Sequence, residues 1–380
     1  MPAHILGIGT ATPPTVITQT DVRDLFLAQP GTDRLTSRLI GAAFDQSAID
    51  TRHTVLPELV SGGSAFIDAD SRAVAAPLTG ARNDVYIREA PALFAAASRD
   101  ALDRARVPAS AITHVVTASC TGFFGPGPDF RLVKDLGLSS TVERDHLGFM
   151  GCAAAFPALR SASRICAADP SAVVLVVCGE ICTIHIRVSN DPEQIVASAV
   201  FADGAAAAVV SAAPAPDART LELDGFGTAL TREGEDEMRW IIGDHGFEMT
   251  LTAEVPRVIG REVHSALAPL LARAGAAIDA WAVHPGGRSI LDRVESALAL
   301  SPGALRHSRE VLRECGNMSS ATVLFILKRM LEHEDLRDAD RVLGVAFGPG
   351  LTVESALLRA RVPAAARTAT LAAAGTGVAG

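Results

Sequence analysis

Two apolar patterns alternate along the chain. Continuous apolar runs closed by glycine, proline or a polar cluster predict buried strands at residues 4–9, 113–119, 172–178, 205–212 and 341–345. Between them, apolar residues three and four apart predict helices. One covers residues 20–50, with Leu25, Phe26, Leu35, Leu39, Ile40 and Phe44 on its apolar side; others cover 88–105 and 288–300. Another follows Ser320, with Val323, Leu324, Ile326, Leu327, Met330 and Leu331 on one broad face. A helix near Asp129 takes that acid as N-cap or first-turn residue. Residues 141–150 read as a strand and 280–283 as a short one, with His284–Gly287 as a turn. Residues 60–90 carry mixed signals. Strands alternating with helices predict an α/β fold.

The start of the chain has an echo. Gly7-Ile8-Gly9-Thr10-Ala11 is answered by Gly225-Phe226-Gly227-Thr228-Ala229, after a proline-rich stretch at 213–219. The echo predicts a duplicated α/β unit: an N-terminal half over 1–219 and a C-terminal half over 220–362. Residues 363–380 are mostly Ala, Thr and Gly with little to bury, which predicts a mobile tail.

Composition narrows the classes. The chain has 380 residues, 48% of them hydrophobic, enough for one large core or two fused ones. A net charge of -9 with no long basic run argues against nucleic acid and anionic membranes as partners. The six cysteines show neither CxxC nor zinc spacing, so no metal site is expected and the thiols read as reduced. No signal peptide and no membrane-spanning run is apparent, which predicts a cytoplasmic protein.

One stretch suggests chemistry. Residues 141–150 end at Gly151, Cys152 follows, and Phe156, Leu159, Ala162 and Cys166 continue at helical spacing. Pro157 fits a helix only in its first turn, so the helix must begin just after Cys152. A thiol at that end faces the positive pole of the helix dipole, which lowers its pKa. The alternative is a small buried apolar cysteine. His284 and Asn317 each lie just before a predicted helix too, and such loops converge at one edge of an α/β sheet. A turn histidine and an ordinary cap are the plain readings of each. Together the three could form a nucleophile with an oriented base.

Four motifs, Gly148–Ala154 (GFMGCAA), His284–Asp292 (HPGGRSILD), Gly316–Ala321 (GNMSSA) and Phe347–Thr352 (FGPGLT), resemble the signatures of type III polyketide synthases, the chalcone synthase-like family. Their order and spacing match from His4 to about Arg361. Glu180–Thr183 and Met238–Trp240 resemble bacterial members more than plant ones. The resemblance implies a thiolase fold, with two βαβαβαββ halves in a five-layer α-β-α-β-α core, and a homodimer. It also implies decarboxylative Claisen condensation, with malonyl-CoA and an acyl-CoA or acyl-carrier-protein starter as substrates and no cofactor. By the same resemblance Cys152 holds the growing chain, while His284 and Asn317 stabilise enolate and oxyanion. Phe201 is a gatekeeper between CoA tunnel and cavity. Trp240, Ser319 and the loop Phe347, Gly348, Pro349 and Gly350 border the substrate.

This sequence also departs from the family. The second gatekeeper phenylalanine aligns with Met249, and cavity threonines with Cys120, Cys182 and His185. Gly125 replaces a methionine that crosses the dimer, and Ala346 the first glycine of the Gly-Phe-Gly-Pro-Gly loop. The basic CoA clamp aligns with Leu39, Ala42 and Gln46, leaving Arg34, Arg38 and Arg52 as nearby contacts for CoA or a carrier. These changes favour an aliphatic or malonyl starter over a phenylpropanoid. A ketoacyl-carrier-protein synthase shares Cys, His and Asn but not the HPGG and NMSS contexts. A papain-like protease needs a Cys-Gly-Ser-Cys-Trp context that is absent here. A non-catalytic thiolase-fold protein has no physical need of all three residues.

Overall fold

In the computed structural model, residues 2–333 and 335–363 are described. The first half runs β1 (Ala3–Ala11), β2 (Thr15–Thr18), α1 (Gln19–Leu27), α2 (Arg34–Asp45), β3 (Thr51–Thr54), α3 (Thr79–Ala105), β4 (His114–Ser119), α4 (Pro128–Asp135), β5 (Glu143–Gly148), α5 (Ala155–Ala168), β6 (Val173–Ile181), α6 (Pro192–Val200) and β7 (Asp203–Ser211). The second runs β8 (Thr220–Leu230), β9 (Met238–Gly243), β10 (Gly246–Leu251), α7 (Val255–Ala274), β11 (Ala280–Val283), α8 (Arg288–Ala297), α9 (Arg306–Cys315), α10 (Thr322–Glu332), β12 (Arg341–Gly348) and β13 (Thr352–Arg361). The Ala/Gly-rich tail lies beyond the described residues.

The strand order is β5-β4-β6-β7-β1 in the first half and β8-β13-β12-β11 in the second. In both, the opening strand lies antiparallel to the closing one, and the interior pair is parallel. β1 and β8 pair over three residues, from Ala3–Leu223 to Ile5–Leu221, and join the sheets. Leaving aside the β2–β3 insertion and α6, the first half reads βαβαβαββ. The second inserts the β9–β10 hairpin and replaces the counterpart of β5 with α9.

Alternating burial sets the layers. Ala206, Ala208 and Val210 of β7 face one core; Ala205, Ala207 and Val209 face another, packed on α3. Ala356 and Leu358 of β13 join the first core, while Val353 and Leu357 join a third, packed on α7 and α8. The shared core holds α5 and α10, so the layers run helix, sheet, helix, sheet, helix. No helix among the described residues is long and apolar enough to cross a membrane.

The sequence echo has a packing cause. A Cβ on Gly9 would lie 2.1 Å from Ala101 N, and one on Gly7 2.6 Å from Ala105 N, both in α3. The equivalent positions Gly225 and Gly227 face Arg273 and Leu270 of α7. In the first half the pair lets α3 sit against its opening strand; in the second α7 brings only side chains near.

Two predicted helices change. Residues 20–50 split at Pro30 and Gly31 (φ +84), and α2 restarts on Asp33, whose carboxylate accepts from Thr36 N at 2.7 Å. α3 begins at Thr79 rather than Arg88, because its apolar stripe includes a buried cation. Arg82 is fully covered and donates to the carbonyls of Pro77, Ile184 and Ile186. The segments forming β9, β10, α7 and α9 carried no predicted element.

Gly9→Ala forces a methyl into the α3 backbone and is expected to cost about 3 kcal/mol, the upper end for overpacking. Gly227→Ala meets Leu270 Cβ at 3.7 Å and only the rotatable Ser355 hydroxyl more closely, and should cost less. Thermal unfolding of the two variants checks the order.

Candidate active site

Cys152 sits in a tight turn, Gly151–Ala153, between β5 and α5. Pro157 is the third residue of α5, where its missing N–H costs nothing. Gly151 is left-handed (φ +58), and a Cβ there would lie 2.5 Å from Pro349 Cδ. A Cβ on Gly348 would lie 2.8 Å from Met150 O. The Phe347–Gly350 segment is thus seated on the cysteine turn, and only glycines allow that approach.

Asn317 precedes α10. Its backbone is clamped to the end of α6: Asn317 N donates to Val200 O at 2.9 Å, and Ala202 N donates to Asn317 O at 2.9 Å. Its side-chain Oδ1 accepts from Ser319 N at 2.9 Å and lies 3.9 Å from Cys152 Sγ. Its Nδ2 makes a long 3.4 Å bond to Gly286 O, in the turn that follows His284. His284 directly follows β11, with its N–H on Val345 O at 2.8 Å. Both its ring nitrogens are buried without a hydrogen-bond partner. Cys152, His284 and Asn317 are 7%, 1% and 1% exposed, so all three are shut from solvent.

Burial overturns one expectation. The Cys152 thiol is pushed up to about 11, not down: desolvation leads, Ser319 and Asn317 oppose it, and the Glu180 carboxylate adds to it. Burial alone pushes His284 down to about 3. Taken singly, burial holds both groups toward their neutral forms.

Glu180 is fully buried, with its pKa raised by desolvation. It accepts from Ser320 Oγ at 2.6 Å, Cys120 N at 2.9 Å, Thr121 Oγ1 at 2.9 Å and, at longer range, Ser119 Oγ. Cys120 Sγ accepts from Gly151 N at 3.1 Å, which places it beside the cysteine turn. Burial raises the Cys120 and Cys182 thiols as well.

Beyond Phe201, which caps α6, lies a space of only about 30 Å3, lined among others by Cys182, His185, Trp240, Phe247 and Met249. His185 stacks on Phe247 with ring centres 4.4 Å apart, and Trp240 stands edge-on to both. His185 Nε2–H donates to Thr121 O at 2.8 Å while Nδ1 accepts from Phe247 N at 3.0 Å, which fixes the neutral tautomer. Trp240 Nε1 donates to Cys120 O at 2.7 Å. Phe247 carried no signal of its own, although it lies two residues before Met249 on the same face of β10.

A separate cleft of about 670 Å3, which reaches Val200, is bordered by α2, α6, α7 and the turn after His284. Leu39, Ala42 and Gln46 line it, as do Arg257, Arg288 and Arg293; Arg34 and Arg38 do not. Arg52 is corrected too: it is 1% exposed and lies inside, behind α6. A larger cleft of about 770 Å3, between α3 and the Thr54–Glu58 segment, holds none of these residues. Among the described residues, no cluster of His, Cys, Asp or Glu could hold a metal ion.

Residues 1–214 match the family model for chalcone and stilbene synthases, N-terminal domain, and residues 228–362 match the corresponding C-terminal domain. Among solved structures, a polyketide synthase of the brown alga Ectocarpus siliculosus is similar at 29% identity, with a TM-score of 0.88 over 94% of this chain and 98% of that one. The C-terminal type III polyketide synthase domain of Dictyostelium Steely1 shares 29% identity, with a TM-score of 0.85 over 95% of this chain and 100% of the other. A fungal type III polyketide synthase, ORAS, shares 26%, with a TM-score of 0.82 over 94% of this chain and 100% of the other. With both family models in register on one thiolase-like framework, the chain belongs to the chalcone and stilbene synthase family and is a type III polyketide synthase, an acyltransferase.

Proposed function

We propose that Cys152, His284 and Asn317 carry out decarboxylative condensation of malonyl-CoA onto a small acyl starter. The observation that carries this reading is the buried meeting of Cys152 Sγ and Asn317 Oδ1 at 3.9 Å, with the two ring nitrogens of His284 left unpartnered. Burial opposes either charge alone, so thiolate and imidazolium form together, His284 taking the proton as Cys152 attacks the starter thioester. The acyl group transfers to sulfur and CoA leaves as its thiol. Malonyl thioester then loses CO2, and the electron pair of the broken C–C bond moves onto the thioester oxygen. His284 Nε2–H and the loosely held Asn317 Nδ2 stabilise that charge. The enolate carbon attacks the Cys152 thioester, and the C–S bond breaks to free the thiolate.

The filled space beyond Phe201 supports an aliphatic or malonyl starter, few extensions, and closure to a pyrone, resorcinol or related phenolic. Malonyl-CoA enters by the wide cleft, its phosphates facing Arg257, Arg288 and Arg293; a starter delivered by a carrier protein would use the same mouth. The Glu180–Thr183 and Met238–Trp240 segments favour a bacterial-type member. Two copies associate through β5, which among the described residues pairs only with β4 and exposes its outer edge beside the stacked Phe123 and Phe149.

Cys152→Ala should block acylation yet keep some CO2 release from malonyl-CoA, whereas Asn317→Ala should lose about 10²-fold in CO2 release and still acylate. Isotopic CO2 capture beside intact-mass analysis reads both, and the opposite pattern would reverse the roles. Trp240→Gly removes the bulk that closes the cavity, so mass spectrometry of its products should show longer chains or larger starters. An unchanged product set would exclude Trp240 as the limit.

Exposed cation–phosphate contacts are worth roughly 1 kcal/mol, or about fivefold in affinity. Arg288→Ala/Arg293→Ala should therefore raise KM for malonyl-CoA about that much and leave malonyl-pantetheine unaffected. Arg34→Ala/Arg38→Ala should change neither.

A further inference from the structure

The C-terminal end of α6 leaves carbonyls that need donors. Each finds one. Ala197 O accepts from Phe201 N. Ala199 O accepts from Gln19 Nε2 at 2.7 Å, and Val200 O from Asn317 N at 2.9 Å. The remaining two, Ser198 O and Phe201 O, are both taken by one group, Arg52 Nη1, at 2.8 and 2.7 Å.

Arg52 is sealed in. Its stem passes Gly316, where a Cβ would lie 2.8 Å from Arg52 Cγ, and its guanidinium lies over the Phe44 ring at 5.9 Å. Burial lowers its pKa to about 10, so it stays charged at neutral pH, with buried Asp203 as its balancing charge. Its Nε and Nη2 have no protein partner. Arg52 thus touches the carbonyl of Phe201 while its stem lies against Gly316, just before Asn317.

From this we infer that Arg52 is a positioning residue for the decarboxylation step: it locks the Phe201 turn to the Asn317 strand and so sets where the Asn317 amide points. Cys152 lies on a separate turn, held by Gly151, Gly348 and Pro349, that Arg52 does not contact. A merely structural role would weaken both half-reactions alike. A positioning role separates them. This inference rests on the condensing activity proposed above.

The test uses the full chain with malonyl-CoA and a short acyl-CoA. Arg52→Lys keeps the charge but replaces the planar fork with a single ammonium. The expected result is an unchanged rate of Cys152 acylation, and CO2 release lowered about 10- to 100-fold, the scale of a 1 Å misplacement. Gln19→Met removes the neighbouring donor to Ala199 O, together with the bond from Gln19 Nε2 to Ser47 Oγ at 3.0 Å, and should lower CO2 release in the same direction by less. Melting curves accompany both variants. Wild-type CO2 release in Arg52→Lys, or a parallel fall of both half-reactions, overturns the inference. If Arg52→Lys does not fold, an unchanged Gln19→Met overturns it instead. A wild-type protein that neither acylates nor releases CO2 would refute the proposed function rather than this role of Arg52.

Discussion

Everything in this structure depends on a layer two helices wide, enclosed between two sheets. α5 and α10 give little but their ends to water, and the residues they turn inward are small or tightly fitted: Ala155, Ala158 and Ala162 on one, Val323, Ile326 and Leu327 on the other. Such a layer cannot slide without opening voids in two cores at once, and close-packed interiors resist that. The cysteine turn and the asparagine strand stand at the starts of these two helices. Their separation is therefore fixed by the packing of the whole molecule rather than by the loops that carry them.

The same enclosure sets the electrostatics. A buried carboxylate, three buried thiols and a buried imidazole lie close together, and burial pushes each toward its neutral form. Hydrogen bonds hold the polar groups in register: four donors converge on Glu180, and Ser319 and Asn317 face the Cys152 thiol. The resting site is tightly held around the nucleophile. Charge that develops there during reaction does so in a buried medium, where each N–H donor acts more strongly than in water.

Much of this was legible in the chain. Continuous apolar runs marked the central strands, because a strand covered on both faces cannot alternate. Pro157 located the start of α5, and the two glycine pairs fall on β1 and β8. The hidden parts share a cause: their signal is carried by polar residues in unexpected places. Arg82 concealed the first turns of α3, since a cation satisfied by three carbonyls behaves as core. Arg52 looked like a surface partner of Arg34 and Arg38 because sequence distance says nothing of which way a strand turns its side chains. The thiol pKa was misjudged because the dipole of a helix is visible in sequence while depth of burial is not. Trp240 and Phe247 fill the cavity from a hairpin whose short, charge-interrupted strands gave no clear period.

The two halves differ at one edge. In the first, β5 leaves a row of backbone donors and acceptors open along the side of the sheet. In the second, α9 stands where that strand would be, and Ser308 Oγ accepts from Val283 N at 3.2 Å across the rim of β11. The joined sheet is therefore open at one end and stoppered at the other. A sheet of that kind offers one edge to another strand rather than two. Placing a helix at the second rim thus removes one of the two rows of backbone groups through which such a fold could otherwise grow into ribbons.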